Sequence, residues 1–151
     1  MNETRYMGID PGKSGGWAVL NQDGTVWAVG KNSDVATLRD ALEQDSLDIV
    51  IEKVWSSPRM GVVGAFSFGE SFGFLQRLIA GCYKSPHVVT PKKWQREMGL
   101  LQSGRSLGEG DTAKKNANKA MAERLFPGQK ITHAWADALL IAEYCRRVYS
   151  A

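Results

Sequence analysis

The sequence predicts a single α/β domain with a mixed sheet that begins with three antiparallel strands. Short apolar segments at residues 5–10, 17–20 and 25–29 are separated by turn sequences, which is typical of consecutive antiparallel strands. The apolar, β-branched segment 47–52 follows a predicted helix, so we expect it to lie parallel to the first strand. With 151 residues, of which 43% are hydrophobic, residues 1–151 are expected to form one domain around one core.

Turn and capping residues define the first elements. Pro11 and Gly12 preset the backbone angles of a turn over residues 11–16. The sequence Asn-Gln-Asp-Gly at residues 21–24 is a hairpin signal. A helix capped by residue 33 or 34 is expected to run to about Gln44.

The next predicted helix, over residues 59–82, combines an apolar stripe with an unusual number of glycines. The stripe consists of Phe66, Phe72, Leu75, Leu78 and Ile79. Glycine lowers the stability of a helix by about 1 kcal/mol relative to alanine. Glycines at positions 61, 64, 69 and 73 are therefore expected where another backbone passes close by.

The last part of the chain is predicted to contain a short strand, a loop and two helices. Residues 87–89 form the strand, and residues 99–111, with four glycines, form a mobile loop. A helix is expected to begin at residue 111 or 112 and to end near Phe126, and the final helix covers residues 133–149.

Charge and composition narrow the possible functions. Residues 1–83 contain 7 basic residues (Lys and Arg) and 10 acidic residues (Asp and Glu). Residues 84–130 contain 10 basic and 4 acidic residues. A basic second half suits a partner with phosphate groups, although a solvated helical surface would have the same composition. Cys82 and Cys145 are expected to be small buried hydrophobic residues. The sequence has no run of 18 apolar residues, as a transmembrane helix would need, and no apolar core of a signal peptide. We therefore expect a cytoplasmic protein without a membrane partner.

Three carboxylates are the strongest candidates for catalysis. Asp10 and Glu52 end apolar strand segments, where a buried charge is costly unless it is paired or bound to metal. Asp137 lies near the start of the last helix, and His133 precedes it by four residues on the same helix face. Each acid alone could be a solvated strand-end residue. Together they would form an oxygen-rich site for two Mg²⁺ ions, which promote phosphodiester hydrolysis when about 4 Å apart.

A set of six short motifs spans nearly the whole chain in order. They are Gly8-Ile-Asp-Pro-Gly-Lys-Ser-Gly-Gly16, Ile51-Glu-Lys-Val54, Phe68-Gly-Glu-Ser-Phe-Gly73, Val89-Thr-Pro-Lys-Lys-Trp94, Leu125-Phe-Pro127 and His133-Ala-Trp-Ala-Asp-Ala-Leu-Leu-Ile-Ala142. This ordered set resembles the RuvC-like Holliday junction resolvases, and most of all their phage versions. The resemblance implies an RNase H-like fold, with a five-stranded mixed sheet flanked by helices. It also implies a homodimer that nicks four-way DNA junctions symmetrically in the cytoplasm of a bacterial cell or a phage-infected host.

The resemblance assigns roles to single residues. Asp10, Glu52 and Asp137 match the catalytic acids, with Asp10 expected to bridge two Mg²⁺ ions, for which Mn²⁺ is expected to substitute. Many members have a second acid or a histidine about one turn before the last acid. This chain has Ala134 three residues before Asp137, so His133 is taken as the substitute ligand.

The resemblance also suggests DNA contacts. Trp55 matches an aromatic side chain that members insert into the junction, although an aromatic without that role is equally compatible. The basic residues expected to contact phosphates are Lys13, Lys114, Lys115 and Lys119. The remaining tryptophans are expected to serve packing; they are Trp17, Trp27, Trp94 and Trp135.

Other functions remain compatible with parts of the sequence. A related RNase H-like nuclease would act on branched DNA generally or on structured RNA, and a non-catalytic protein would bind junctions without depending on metal. The pattern at residues 8–12 also resembles the phosphate loop of actin-like proteins and sugar kinases. Proteins of that class are built from two domains of this kind, whereas this chain is expected to form one. Lys13 and Ser14 do not complete a P-loop, because only three residues separate Gly8 from Gly12.

Overall fold

A computed structural model describes residues 3–54, 60–102, 105–106 and 110–150. Its strands are β1 (Arg5–Ile9), β2 (Gly16–Leu20), β3 (Val26–Lys31), β4 (Leu47–Glu52), β5 (His87–Val89), β6 (Leu101–Gln102) and β7 (Arg105–Ser106). Its helices are α1 (Val35–Leu42), α2 (Val62–Gly81), α3 (Pro91–Glu97), α4 (Gly110–Leu125) and α5 (His133–Tyr149).

The central sheet has the strand order β3-β2-β1-β4-β5. Strands β1, β2 and β3 are antiparallel neighbours, whereas β4 is parallel to both β1 and β5. The predicted mixed five-stranded sheet is thus confirmed. Ile9 lies opposite Ile51 in the parallel ladder, so the residues that follow them, Asp10 and Glu52, are placed side by side at one edge.

Alternate residues of β1 and β4 face two separate hydrophobic clusters. Met7 and Ile9 pack in the cluster that contains residues of α1 and α2. Tyr6 and Val50 pack in the other cluster, most of which comes from α3, α4 and α5. Because side chains alternate along a strand, Glu52 shares the face of Val50 and points toward α5.

Helix α5 lies directly on β1 because Gly8 has no side chain. A Cβ atom on Gly8 would overlap the backbone of Ala138 and Ala142. Only glycine permits so close an approach of a helix to a strand. The approach holds the first turns of α5, which carry Asp137, near the end of β1.

Helix α3 is an element that the sequence patterns above do not predict. It begins after Thr90, whose hydroxyl accepts a hydrogen bond from the backbone N–H of Lys93, and Pro91 occupies the first turn. A threonine cap followed by proline at the first helical position is a known start signal. The pair Thr90-Pro91 could therefore have predicted this helix.

The continuous loop predicted over residues 99–111 is partly wrong. Strands β6 and β7 pair antiparallel within it, and α4 already begins at Gly110. Such a two-residue ladder is too short to leave an alternating apolar pattern. Residues 103–104 and 107–109 of the predicted loop lie outside the described residues.

Helix α2 has an apolar face that the described residues leave exposed. Phe66, expected in the buried stripe, is 72% exposed, whereas Leu75 and Ile79 are buried as predicted. Among the described residues, no atom lies within 4 Å of a Cβ atom placed on Gly69 or Gly73. The backbone expected near these glycines is therefore not supplied by the described part of the chain.

Most predictions for the tryptophans and cysteines are confirmed. Trp17 and Trp94 are fully buried, and the indole of Trp135 donates a hydrogen bond to the carbonyl of Gly30 at 3.0 Å. Trp27 is 38% exposed, so its expected packing is only partial, and the Arg5 guanidinium lies 4.4 Å from its ring centre. The two cysteines are free, with Cys145 buried and Cys82 partly buried. No helix in the described ranges is long and apolar enough to cross a membrane.

Candidate active site

The three acids meet where β1 and β4 end against the first turns of α5. Asp10 follows β1, Glu52 is the last residue of β4, and Asp137 lies one turn inside α5. The start of α5 is fixed by Thr132, whose hydroxyl accepts a hydrogen bond from the backbone N–H of Trp135. The acids are close enough for their charges to affect one another.

The turn that carries Asp10 is held by Asn32, a buried residue just after β3. The Asn32 side-chain amide donates to the backbone carbonyls of Asp10 at 2.7 Å and of Gly12 at 3.2 Å. Gly12 has a φ of +118°, a left-handed conformation that favours glycine. The main chain at Asp10 is therefore fixed independently of its carboxylate.

Asp10 has the most strongly perturbed carboxyl group of the three. Burial raises its pKa well above the ordinary value, and the negative charges of Asp137 and Glu52 raise it further. In the described ranges, no side chain donates a hydrogen bond to this carboxylate or forms an ion pair with it. The group therefore favours a cation that would stabilise its charged form.

Glu52 is held by a hydrogen bond from α3. Burial raises the pKa of Glu52 to about 7, a hydrogen bond from Trp94 opposes the rise, and the charge of Asp137 adds to it. The indole Nε1–H of Trp94 donates to Oε2 of Glu52 at 2.7 Å. Trp94 is fully buried, so the donor approaches from inside the protein.

Asp137 is held in a similar way by α4. The side-chain amide of Asn118 donates to Oδ1 of Asp137 at 2.8 Å. Burial raises the pKa of Asp137, whereas this hydrogen bond and the charges of His133 and Lys115 lower it. Two acids at the site are thus each bound at one oxygen by a neutral donor from a separate helix.

An open cavity of about 360 Å³ lies beside the acids. Its lining residues are Asp10, Ser14, Lys115, His133, Ala134 and Asp137. Lys115 and His133 are both exposed, so an ammonium group and an imidazole stand at the rim next to carboxylates. This combination can accept a phosphate group beside oxygen ligands for a metal ion.

The acids do not form a ready-made metal centre. Among the side chains that the structure describes, no three of the types His, Cys, Asp and Glu are grouped so that they could hold one metal ion. The donor set nevertheless fits Mg²⁺, because carboxylate oxygens are its preferred protein ligands. Glu52 and Asp137 each use one oxygen for a protein hydrogen bond, and the second oxygen of each carboxylate takes no part in that bond.

Comparison with known proteins gives the fold. No protein-family model and no curated protein sequence matches the chain. Its structure is similar to that of Thermus thermophilus RuvC in complex with a Holliday junction substrate, with a TM-score of 0.65 and 14% identity over 98% of both chains. The chain has the RNase H-like fold of RuvC.

A second structure of RuvC from Thermus thermophilus is also similar in fold to this chain. It matches with a TM-score of 0.60 and 15% identity, over 93% of this chain and 92% of that chain. At this identity the shared property is the fold. The chemistry of this chain must be argued from its own residues.

The RuvC-like fold brings one of the four predicted phosphate-binding lysines to the acids. Lys115 lines the cavity beside Asp137, whereas Lys114 is exposed and Lys119 is partly buried on the same helix. Lys13 lines a separate groove against α2. Trp55, the predicted junction-stacking residue, lies outside the described residues.

Two residues at this site were missed by sequence reasoning. Trp94 was assigned to packing alone, although it belongs to one of the motifs that resemble RuvC-like proteins. Asn118 stands among three lysines of α4 and has no feature of its own that would distinguish it. Both contacts join separate elements, so only the tertiary structure identifies their acceptors.

Proposed function

We propose that the chain is a metal-dependent DNA endonuclease that resolves four-way junctions during DNA recombination and repair. The observation that carries the proposal is the meeting of Asp10, Glu52 and Asp137 beside a cavity with Lys115 and His133 at its rim. The fold shared with RuvC, which has been seen with a Holliday junction substrate, supports a branched DNA substrate. We place this activity in the cytoplasm of a bacterial cell or a phage-infected host.

The proposed cofactor is Mg²⁺, with two ions in each site and Mn²⁺ as a substitute. Asp10, Glu52, Asp137 and His133 would hold the ions. Bound divalent cations supply an activated water and neutralise charge on the phosphate. The raised pKa values of the three acids support this, because a bound cation favours the charged form of each carboxylate.

The other residues of the site have separate tasks in this proposal. Lys115 and Ser14 line the cavity and would bind the non-bridging oxygens of the scissile phosphate. His133, exposed at the start of α5, can accept or donate a proton through its imidazole. Water attacks the phosphorus atom and the bond to the 3′ oxygen breaks, which leaves a 5′-phosphate and a 3′-hydroxyl.

Four further residues would hold the rest of the junction. Lys114 and Lys119, on the same helix as Lys115, would bind flanking phosphates, as would Lys13 in the turn after β1. Trp55 would stack on an unpaired base, which typically contributes about 1–3 kcal/mol.

The proposed homodimer forms through the uncovered face of α2. Val62 is 88% exposed, Val63 83% and Phe66 72%, although all three are apolar. Gly69 and Gly73 continue this helix and leave room for close approach of a second helix. A two-fold symmetric pair of chains would bury this face and present two active sites to opposing DNA strands.

Cleavage of a labelled synthetic four-way junction tests the proposal. Duplex, flap and RNA hairpin substrates serve as controls, each with Mg²⁺ and with EDTA. The proposal predicts paired nicks in opposing arms of the junction alone, and only with Mg²⁺. Cutting of all branched substrates or of RNA would indicate a broader nuclease, and binding without cutting would indicate a non-catalytic junction-binding protein.

A further inference from the structure

We infer that Trp94 and Asn118 are positioning residues, which orient the carboxylates of Glu52 and Asp137 for metal binding through neutral hydrogen bonds. The inference rests on the proposed function, because it concerns the same acids. Neither residue touches the cavity, so both would act through the acids that they contact.

Trp94 cannot easily turn away from Glu52. Its side chain is fully buried in the cluster formed with Val89, Met98 and Leu100. Helix α3, which carries it, is fixed at its start by the Thr90 cap. An indole N–H is a donor only, so its short contact of 2.7 Å to Glu52 holds one carboxylate oxygen in place.

Asn118 holds Asp137 from the other side of the site. Its side chain is 8% exposed, and its amide donates to Oδ1 of Asp137 at 2.8 Å. The contact joins α4 to α5, so it also links the helix that carries Lys115 to the acid. The opposite amide orientation would place two oxygens together, which identifies the nitrogen as the atom that faces Asp137.

The neutrality of the two donors is the property that suits a metal site. An arginine or lysine at either position would pair with the carboxylate and compete with a cation. The ion pairs seen between described residues at Glu43 and Glu143 do not include any of the three acids. An indole or amide donor fixes the orientation of a carboxylate and leaves its negative charge available to the ion.

Two variants with matched controls test the inference. Trp94→Phe removes the indole donor, and Asn118→Leu removes the amide at similar volume. Trp17→Phe is the control for the first, because Trp17 is 1% exposed and its Nε1 has no hydrogen-bond partner among the residues that the structure describes. Asn116→Leu is the control for the second, because Asn116 is exposed on the same helix.

The first readout is binding of Mn²⁺ to the protein without DNA, measured by isothermal titration calorimetry. Loss of a partner that orients a metal ligand typically weakens metal binding by about 10–100-fold. We expect that loss in Trp94→Phe and in Asn118→Leu, while both controls bind Mn²⁺ within about twofold of the native protein. The Mg²⁺ concentration needed for half-maximal junction cleavage should rise in parallel.

The outcomes separate this inference from the proposed function. A native protein that neither binds Mn²⁺ nor cuts junctions would overturn both. A native protein that does both, with unchanged Mn²⁺ affinity in the two variants, would overturn the inference alone. Circular dichroism identifies a variant that fails to fold, and if Trp94→Phe is lost in this way, Asn118→Leu decides the question.

Discussion

Gly8 of β1 lies so close to Ala142 of α5 that a Cβ atom on Gly8 would overlap the backbone nitrogen of Ala142. This contact sets the distance between the sheet and the helix. Asp10 lies two residues beyond Gly8, and Asp137 lies in the preceding turns of α5. A glycine without any chemistry of its own therefore determines how near the two acids can lie.

The substitution Gly8→Ala should destabilise the protein. The obstacle is backbone rather than a flexible side chain, so α5 or β1 must shift, at an expected cost of about 1–3 kcal/mol or more. Gly81→Ala is the control, because no atom of the described residues lies within 4 Å of an added Cβ there. Urea denaturation measures both free energies of unfolding, and equal values for the two variants would contradict this account.

Glu52 should make the stability of the protein depend on pH. Its pKa is raised to about 7, so between pH 5 and 7 the folded state holds a proton that the unfolded state has lost. The stability linked to this group is therefore present at low pH and declines as the pH rises through 7.

The substitution Glu52→Gln removes that dependence. In EDTA, we expect the variant to be more stable than the native protein at pH 8, by on the order of 1–3 kcal/mol, and nearly equal at pH 5. Thermal denaturation at both pH values measures the difference. Glu123→Gln, at an exposed position of α4, controls for the loss of an acidic residue. A Glu52→Gln variant that is less stable than the native protein at pH 8 would argue against the burial of the Glu52 carboxylate.

The apolar face of α2 should mediate self-association. Phe66→Glu places a charge in the middle of that face and should weaken dimerisation by at least about 30-fold. Tyr83→Glu is a matched control, since Tyr83 is 97% exposed just after the helix ends. Sedimentation velocity at several protein concentrations measures the monomer–dimer equilibrium of the native protein and of both variants. A native protein that stays monomeric, or a Phe66→Glu variant that still dimerises, would remove the basis for a dimer at α2.

Lys115 should contribute a phosphate contact at the cavity. Lys115→Ala should weaken junction binding and reduce the slope of log affinity against log salt concentration by about 1. Lys31→Ala is the control for the loss of one positive charge, because Lys31 is exposed at the end of edge strand β3. Fluorescence anisotropy at several salt concentrations in EDTA measures the slopes. Identical slopes for Lys115→Ala and Lys31→Ala would place the DNA elsewhere.

The parts of this structure that follow from local pattern could be predicted, and those that depend on contacts between elements could not. Strand alternation and the helix before β4 were enough to predict that Asp10 and Glu52 end neighbouring parallel strands. Trp94 and Asn118 have acceptors 42 and 19 residues away along the chain, which no sequence period indicates. The exposure of Phe66 was also unpredictable, because amphipathic spacing does not reveal which chain covers the apolar face.

The substitution Asp10→Asn tests the central claim most directly. The variant keeps the size of the side chain and the hydrogen bond from Asn32 to the backbone carbonyl of residue 10. It loses the carboxylate, whose negative charge is repelled by the charges of Asp137 and Glu52. We expect cleavage of a four-way junction in Mg²⁺ to fall by at least about 100-fold, while the affinity for the same junction in EDTA stays near that of the native protein. An Asp10→Asn variant that cuts the junction at the native rate would contradict the assignment of the three acids as the active site.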